Sequence, residues 1–314
     1  MTLSSPAEPG SRAIRAPARP CPACLAPVLE EEHRSLSRCP ACGTLSAPPP
    51  SEAELAAYYN GAYQVEAHDL TPARRERWTP LVDAVERAIS GRTGLDFGSS
   101  GGAFLRLATA RGWQMAGIEV DERARTVHRR LAPEIPVWSS LAEARAGGLS
   151  GLDAAWMLHT VEHLPMPEAR LGEVAAALRP RGVLMLTTPN GSSLQSRVLR
   201  GLWEWWTPPA HLALLTPRGA IRLMDRAGFD VLQLSTRRGD SMGFASNLLL
   251  APARAIKRRR DGGLRQSVSV HAATWRLAKA VNFICDPLTA MPRRLAYGGG
   301  LLGPELVILA RRKE

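Results

Sequence analysis

The chain has too few cysteines for a disulfide framework, and no apolar run approaches the ~18 residues needed to cross a bilayer. Five cysteines occur in 314 residues; four fall in two close pairs and Cys285 stands alone. Thiols arranged this way fit a reducing compartment and metal binding better than cross-linking. A charged-then-apolar leader is missing as well. Residues 1–20 are rich in Pro, Ala, Ser and Arg, with Glu8 as their single acid, and are expected to form a disordered tail, with a transit peptide as the competing reading. The location these absences lead us to expect is cytoplasmic. Acids are in deficit too: 29 Asp and Glu stand against 40 Lys and Arg, a formal net charge of +11. That excess favours anionic partners such as nucleic acid, phosphate-bearing substrates or an anionic membrane surface; the plain alternative is an Arg-rich solvated face.

The one internal repeat is the tetrapeptide Cys-Pro-Ala-Cys, present at Cys21–Cys24 and again at Cys39–Cys42. Each CxxC turn sets two thiolates on one side of a knuckle, and two knuckles complete a tetrahedron. The spacing C-x2-C-x14-C-x2-C is that of a zinc ribbon, with Cys21, Cys24, Cys39 and Cys42 as ligands of a structural Zn2+. Gly43 suits the tight turn after the second pair. Four thiolates leave no open position on the ion, so this metal serves docking or stability and not catalysis.

After Pro48-Pro49-Pro50, Ser51 and Glu54 form a capping-box signature for a helix that carries Leu55, Tyr58 and Tyr59. A second helix is expected from Thr71 to Ile89, ended by Gly91. Strand and helix patterns then alternate. Strands are expected at Gly94–Phe97, Gln114–Val120, Val137–Trp138, Leu152–Leu158, Val183–Thr188, Val231–Thr236 and Glu305–Ala310. Helices are expected at Ala103–Arg111, Glu122–Leu131, Pro167–Leu178 and Pro217–Ala227. Such alternation predicts an α/β domain with a parallel sheet covered on both faces. The organisation read from the chain is a tail over 1–20, a zinc ribbon over 21–47, an α/β domain over 51–239, an apolar and basic helical insert over 240–303, and a last strand over 304–314. The insert holds the run Lys257-Arg258-Arg259-Arg260 and an expected helix from Ala273 to Ile284.

Asp96-x-Gly98-x-Ser100-x-Gly102 follows a strand and opens a helix, a place where backbone N–H groups can meet a nucleotide-like cofactor closely. The usual second glycine of such a loop is Ser100 here. Twenty-one residues after Gly98, Glu119 ends the next strand, where an acid can accept hydrogen bonds from vicinal ribose hydroxyls. With Gly117-Ile118-Glu119, Asp153–Leu164, Leu178–Asn190 and His211–Phe229, this series resembles the class I S-adenosylmethionine-dependent methyltransferases, in the branch of the ubiquinone-biosynthesis O-methyltransferases. The likeness runs over about Leu95–Thr236. It implies a Rossmann-like seven-stranded sheet whose last strand, Glu305–Ala310, is antiparallel. It also implies S-adenosylmethionine as cofactor, with Glu119 on the ribose, Asp96, Gly98, Ser99, Ser100 and Gly102 around its methionine part, and His159 at the strand-end wall. The short strand ends Trp138-Ser139-Ser140 without the acid many relatives place at the adenine, so Ser139 is the substitute.

His159-Thr160-Val161-Glu162-His163 reads as H-x-x-E-H, a zinc-protease pattern, but that pattern needs a helix and these residues follow a strand and precede Pro165. In the related methyltransferases a similar place carries E-x-x-E-H, which can bear a divalent cation; here His159 replaces the first Glu, and the metal is left open. Glu162 and His163 remain candidates for the active-site wall. His211 is the candidate base toward a methyl acceptor, with a structural hydrogen-bonded histidine as the competing reading. Trp203, Trp205 and Trp206 would pack over an acceptor, shield the sulfonium from water, or simply fill a core. The function implied is methyl transfer to a small-molecule, sugar or lipid-linked acceptor. The alternatives are an RNA methyltransferase that uses ribbon and charge to hold RNA, and a non-catalytic cofactor-binding scaffold. The 240–303 insert could further meet an anionic membrane face.

Overall fold

The computed structural model describes residues 19–28, 36–57, 69–239, 243–260 and 302–314. The tail before Arg19, Tyr58, Tyr59, Cys285 and the expected helix at 273–284 lie outside them, as do the side chains of Lys257–Arg260.

Two short hairpins open the chain, β1 (Arg19–Pro20) with β2 (Pro27–Val28) and β3 (Ser37–Arg38) with β4 (Leu45–Ser46). Helix α1 (Glu52–Ala57) starts in the expected capping box: the Ser51 N–H and hydroxyl donate to Glu54 Oε2 at 2.8 and 2.7 Å, and Glu54 N–H donates back to Ser51 Oγ at 3.3 Å. Helix α2 (Pro72–Ala88) is capped by Thr71. Then come β5 (Thr93–Phe97), α3 (Ala103–Thr109), β6 (Gln114–Ile118), α4 (Glu122–Leu131), β7 (Val137–Trp138), α5 (Leu141–Ala146) and β8 (Leu152–Leu158). They are followed by α6 (Pro167–Ala177), β9 (Leu178–Pro189), α7 (Leu194–Leu199), β10 (Ala213–Leu214), α8 (Pro217–Arg226), β11 (Phe229–Arg237), α9 (Phe244–Arg260) and β12 (Glu305–Arg312).

Seven of these strands form one sheet in the order β11-β12-β9-β8-β5-β6-β7. Strands β5 to β9 run parallel, while β12 enters antiparallel between β9 and β11. Side chains alternate across it. Met157, Leu184, Leu186 and Ile308 point to the layer with α6 and α8, and Trp156, Val183, Met185 and Leu309 to the layer with α2 and α3. The chain leaves β5 first toward β6 and β7, then crosses to β8 and β9. The strand order therefore reverses at β5, and ligands bind outside the carboxyl ends of strands at such a point.

Three local expectations are revised. Helix α2 stops at Ala88 with Ile89 extended as its cap, not at a left-handed Gly91; at Gly91 a Cβ would collide with the Asp153 carboxylate. Helix α5, capped by Ser140, lacked a readable period because only Leu141 and Ala144 face inward. Strand β9 begins five residues early, where Leu178 pairs with Leu152 before the register shifts. The insert opens as one continuous helix, α9, despite Pro252. No helix among the described residues is long and apolar enough to cross a membrane.

Strand β10 changes how the ribbon sits. It pairs antiparallel with β4, Ala213 opposite Ser46 and Leu214 opposite Leu45, and so completes a three-stranded sheet β10-β4-β3. The cysteines share one buried core with Leu215, Ala220 and Leu223. The ribbon is thus spliced into the α/β body by main-chain hydrogen bonds.

Candidate functional site

The two knuckles are pseudo-repeats. Leu25 N–H donates to Cys21 O and Gly43 N–H to Cys39 O, both at 2.9 Å, and both turn residues are left-handed at φ 59° and 78°. Gly43 takes that conformation without strain, whereas Leu25 holds it against its own Cβ. The Sγ atoms of Cys21 and Cys42 are 3.7 Å apart and those of Cys24 and Cys39 are 3.6 Å apart; all four lie within 4.8 Å of one another. A tetrahedron with Zn–S near 2.3 Å has sulfur edges of about 3.8 Å, so the four thiols fit such an ion. Nearby, ribbon residues Pro20 and Leu25 and residues Leu164, Met166 and Leu212 line an apolar cleft of about 480 Å3.

The cofactor-side candidates gather at the ends of β5 and β6. Gly98, Ser100 and Gly102 are all left-handed, at φ 87°, 47° and 78°. The space beside the glycines is taken by protein: a Cβ would collide with Thr160 at Gly98 and with His128 at Gly102. The glycines thus serve backbone handedness and packing, and not only the close approach of a ligand. Glu119 is buried at the end of β6, where Oε2 accepts from Ser100 N–H and Oε1 from Asp121 N–H, both at 2.8 Å. Burial raises its pKa, and the Asp121 charge adds to that. Asp96 is buried beside it with no hydrogen-bond donor among the described residues, and burial together with the Glu119 charge lifts its carboxyl to about 8. Among the described residues neither carboxylate has an ion-pair partner, with Arg125 reaching only Glu119 O, and the buried Ser99 Oγ has no hydrogen-bond partner; such a place fits a ligand that brings hydroxyls and positive charge. Ser139 stands at the end of β7, with its N–H and hydroxyl both on Glu143.

A second group collects at the ends of β8 and β9. Val161–His163 form one 3-10 turn, so H-x-x-E-H is not on an α-helix. His159, left-handed at φ 54°, donates from Nδ1 to Glu162 Oε1 at 3.2 Å. Its Nε2 is 3.4 Å from Glu305 Oε1, an ion-pair contact, and Glu305 also binds Arg237. Burial alone would lower the His159 pKa, but Glu305 and Glu162 outweigh it and hold the ring as imidazolium, with a pKa of about 10. Glu162 is fully buried. Burial raises its pKa, yet the His159 hydrogen bond and charge prevail and bring it to about 2; Thr188 Oγ1 donates to its other oxygen at 3.0 Å.

His211 behaves in the opposite way. Burial and the neighbouring His163 push it down to about 4, so it is neutral near pH 7. Its Nδ1 lies 2.7 Å from Trp205 O and the Nδ1 of His163 lies 2.8 Å from Ala210 O. Carbonyls only accept, which assigns a proton to Nδ1 of both rings, and the neutral His211 keeps the lone pair on its Nε2. The Trp205 indole stacks between two imidazoles, 5.0 Å from His159 and 5.6 Å from His211, and its own N–H is buried without a partner. Trp203 and Trp206 are core residues instead. Glu162, His163 and His211 offer ligand atoms within 4.8 Å of one another, a donor set able to take a divalent cation; His159, ion-paired, stands outside it. Thr160, packed on Gly98, brings the two groups together. Sequence reasoning missed Glu305 and Arg237, whose only signal was an acid opening an apolar run.

A family model described as a methyltransferase domain matches residues 71–234. The chain belongs to that family and is an S-adenosylmethionine-dependent methyltransferase. Its relatives include a ubiquinone biosynthesis O-methyltransferase of Paramagnetospirillum magneticum, 26% identical over 51% of this chain and 72% of that one. Another, of Dechloromonas aromatica, is 28% identical over 39% of this chain; the match spans 53%, about half, of that relative's length. A solved SAM-dependent methyltransferase from Archaeoglobus fulgidus aligns at TM-score 0.45 with 18% identity, covering 84% of this chain and 100% of that one.

Proposed function

We propose that the chain methylates a hydroxyl of a small-molecule, sugar or lipid-linked acceptor, with His211 as the base. The observation that carries this reading is the neutral His211 imidazole. Its Nδ1–H is anchored on Trp205 O and its Nε2 is left basic beside an aromatic wall, near the cofactor loop. The cofactor, when bound, supplies a methyl group already activated on a sulfonium. Glu119 and the 98–102 loop would hold it, with Asp96 countering its charge. His211 Nε2 would take the acceptor's proton as the methyl carbon is attacked. The Trp205 N–H, buried without a partner among the described residues, would donate to an acceptor oxygen, and the indole face would exclude water. The cysteine ribbon would hold a structural zinc.

The test is transfer of a labelled methyl group to fractionated sugar, lipid and RNA pools, comparing native protein with His211→Ala. The expected result is label in a small-molecule or lipid fraction, reduced about 10²–10⁴-fold in the variant while cofactor binding persists. Label confined to RNA, or a fully active variant, would overturn this reading.

A further inference from the structure

The segment that carries His211 is held from both sides. On its inner side Leu212 N–H donates to Glu162 O at 2.7 Å, and His163 Nδ1 donates to Ala210 O at 2.8 Å. A further bond from the α/β body, Gly191 N–H to Leu215 O at 2.7 Å, holds the strip beyond β10, and the anchors on its outer side are ribbon residues. Ala47 N–H donates to Leu212 O at 2.8 Å, β4 pairs with β10, and Thr216 Oγ1 donates to Cys42 O at 2.6 Å. Thr216 is also the N-cap of α8, and its Oγ1 accepts from Gly219 N–H at 3.0 Å. Behind the aromatic wall, Leu36, Leu45 and Ala47 of the ribbon pack with Trp203, Trp206 and Leu214, and Trp205 leans on that cluster.

The cofactor-side group has no such dependence. The packing and hydrogen bonds described at Gly98, Ser100, Gly102 and Glu119 come from Thr160, His128, Ile118 and Asp121, none of them in the ribbon.

We infer that the four-cysteine ribbon is a structural wall of the acceptor site: metal at Cys21, Cys24, Cys39 and Cys42 fixes the strip 211–216, and its loss disables methyl transfer while leaving cofactor binding intact. This rests on the acceptor role proposed for His211. The physical reason is local. The ribbon's strands are two residues long, so little main-chain pairing of its own holds it together. Such a unit draws its order from the metal, and the free energy of binding is the free energy of folding. When β4 loosens, β10 loses its partner, Leu212 O loses its donor, and the bond from Leu212 N–H to Glu162 O is left to open with the unpaired strip. His211 and Trp205 then lose the backing that holds their stack. The ribbon residues thereby act as positioning residues for a base far along the chain.

The experiment uses the full chain in two states, zinc-loaded native protein and Cys39→Ser, with Thr216→Val as a third sample that keeps all four thiols. Three quantities are read: affinity for S-adenosylhomocysteine by calorimetry, amide hydrogen exchange at Ala47 and Leu212, and methyl transfer. In Cys39→Ser we expect the affinity to stay within about twofold, protection at Ala47 and Leu212 to fall by about 100-fold or more, and transfer to fall by a similar factor. Thr216→Val should keep its zinc and show a smaller loss of the same two readouts. Unchanged protection at Leu212 without metal would overturn the inference. Loss of cofactor affinity in parallel would also overturn it, since the ribbon would then be a general stabiliser. If even zinc-loaded protein transfers no methyl group, the acceptor reading fails, and exchange at Leu212 still decides whether the metal orders the strip.

Discussion

Replacing Glu305 by Gln isolates the ion pair that holds His159 charged. The carboxylate is buried, touches His159 Nε2 at 3.4 Å and Arg237 at 2.9 Å, and sits in β12 between β9 and β11. His159 is raised from its ordinary 6.5 to about 10 against the pull of burial. That rise corresponds to about 5 kcal/mol of preference for the imidazolium, shared between Glu305 and Glu162. Gln preserves shape and removes charge, so roughly half of that preference, about 2–3 kcal/mol, should disappear. The sign follows from linkage. A raised histidine contributes stability that is fully present below pH 6.5 and is lost as pH rises through about 10. Native protein should therefore exceed Glu305→Gln by about 2–3 kcal/mol in urea denaturation at neutral pH, and the His159 part of the gap should close as pH passes 10. Histidine NMR should show the His159 titration moving down by roughly two pH units. A gap that stays constant from pH 6 to 11, or a His159 that titrates unchanged, would refute the ion-pair account.

Four further outcomes are expected. Glu119→Ala should weaken S-adenosylhomocysteine binding by about 1–3 kcal/mol in calorimetry, through lost charge-assisted bonds; equal affinity would remove Glu119 from the ribose role. Binding of S-adenosylmethionine near pH 7 should release protons, because a cation beside Asp96 lowers a carboxyl that stands at about 8. Calorimetry in buffers of different ionisation enthalpy measures this, and no buffer dependence would contradict it. The acid limb of kcat should fall near pH 4, where His211 gains its proton, and not near 6.5; the stability given by the neutral ring is complete above 6.5 and lost as pH falls through 4. Finally, α9 exposes Leu248, Leu249 and Ile256 just before Lys257–Arg260. Flotation with anionic liposomes should exceed that of a 257–260 charge-neutralised variant, each basic residue contributing roughly 1 kcal/mol, and identical partitioning in low salt would dismiss membrane contact.

What could be read from sequence was what short-range chemistry dictates. The paired CPAC knuckles depend on residues two and three apart, and the alternation of β5 to β9 with helices is a local period. The left-handed turns at Gly98 and Gly102 likewise follow from residue type. The unread features arise between distant segments. Strand β10 is two residues long and carries no period, yet it joins positions 45–46 to 213–214. Glu305 looked like the polar start of a strand because His159 and Arg237 are far from it in the chain. The glycine loop was read as room for a ligand, while Thr160 and His128 occupy the space beside it.

The two acid pairs of the site argue for different tasks. Glu162 and Glu305 meet cations the chain itself provides, His159 and Arg237, and both are held ionised despite burial. Asp96 and Glu119 are buried too, but burial raises both pKa values, because no cation among the described residues pairs with either carboxylate; Arg125 reaches only the main-chain oxygen of Glu119. Buried charge without a partner is costly, and a fold retains it where something else brings the opposite sign. In the function proposed above, a sulfonium cofactor would do so at the β5–β6 edge. At the β8–β9 edge Glu162 and Glu305 already meet cations within the protein, while burial and His163 keep His211 neutral, which would leave its lone pair for a proton.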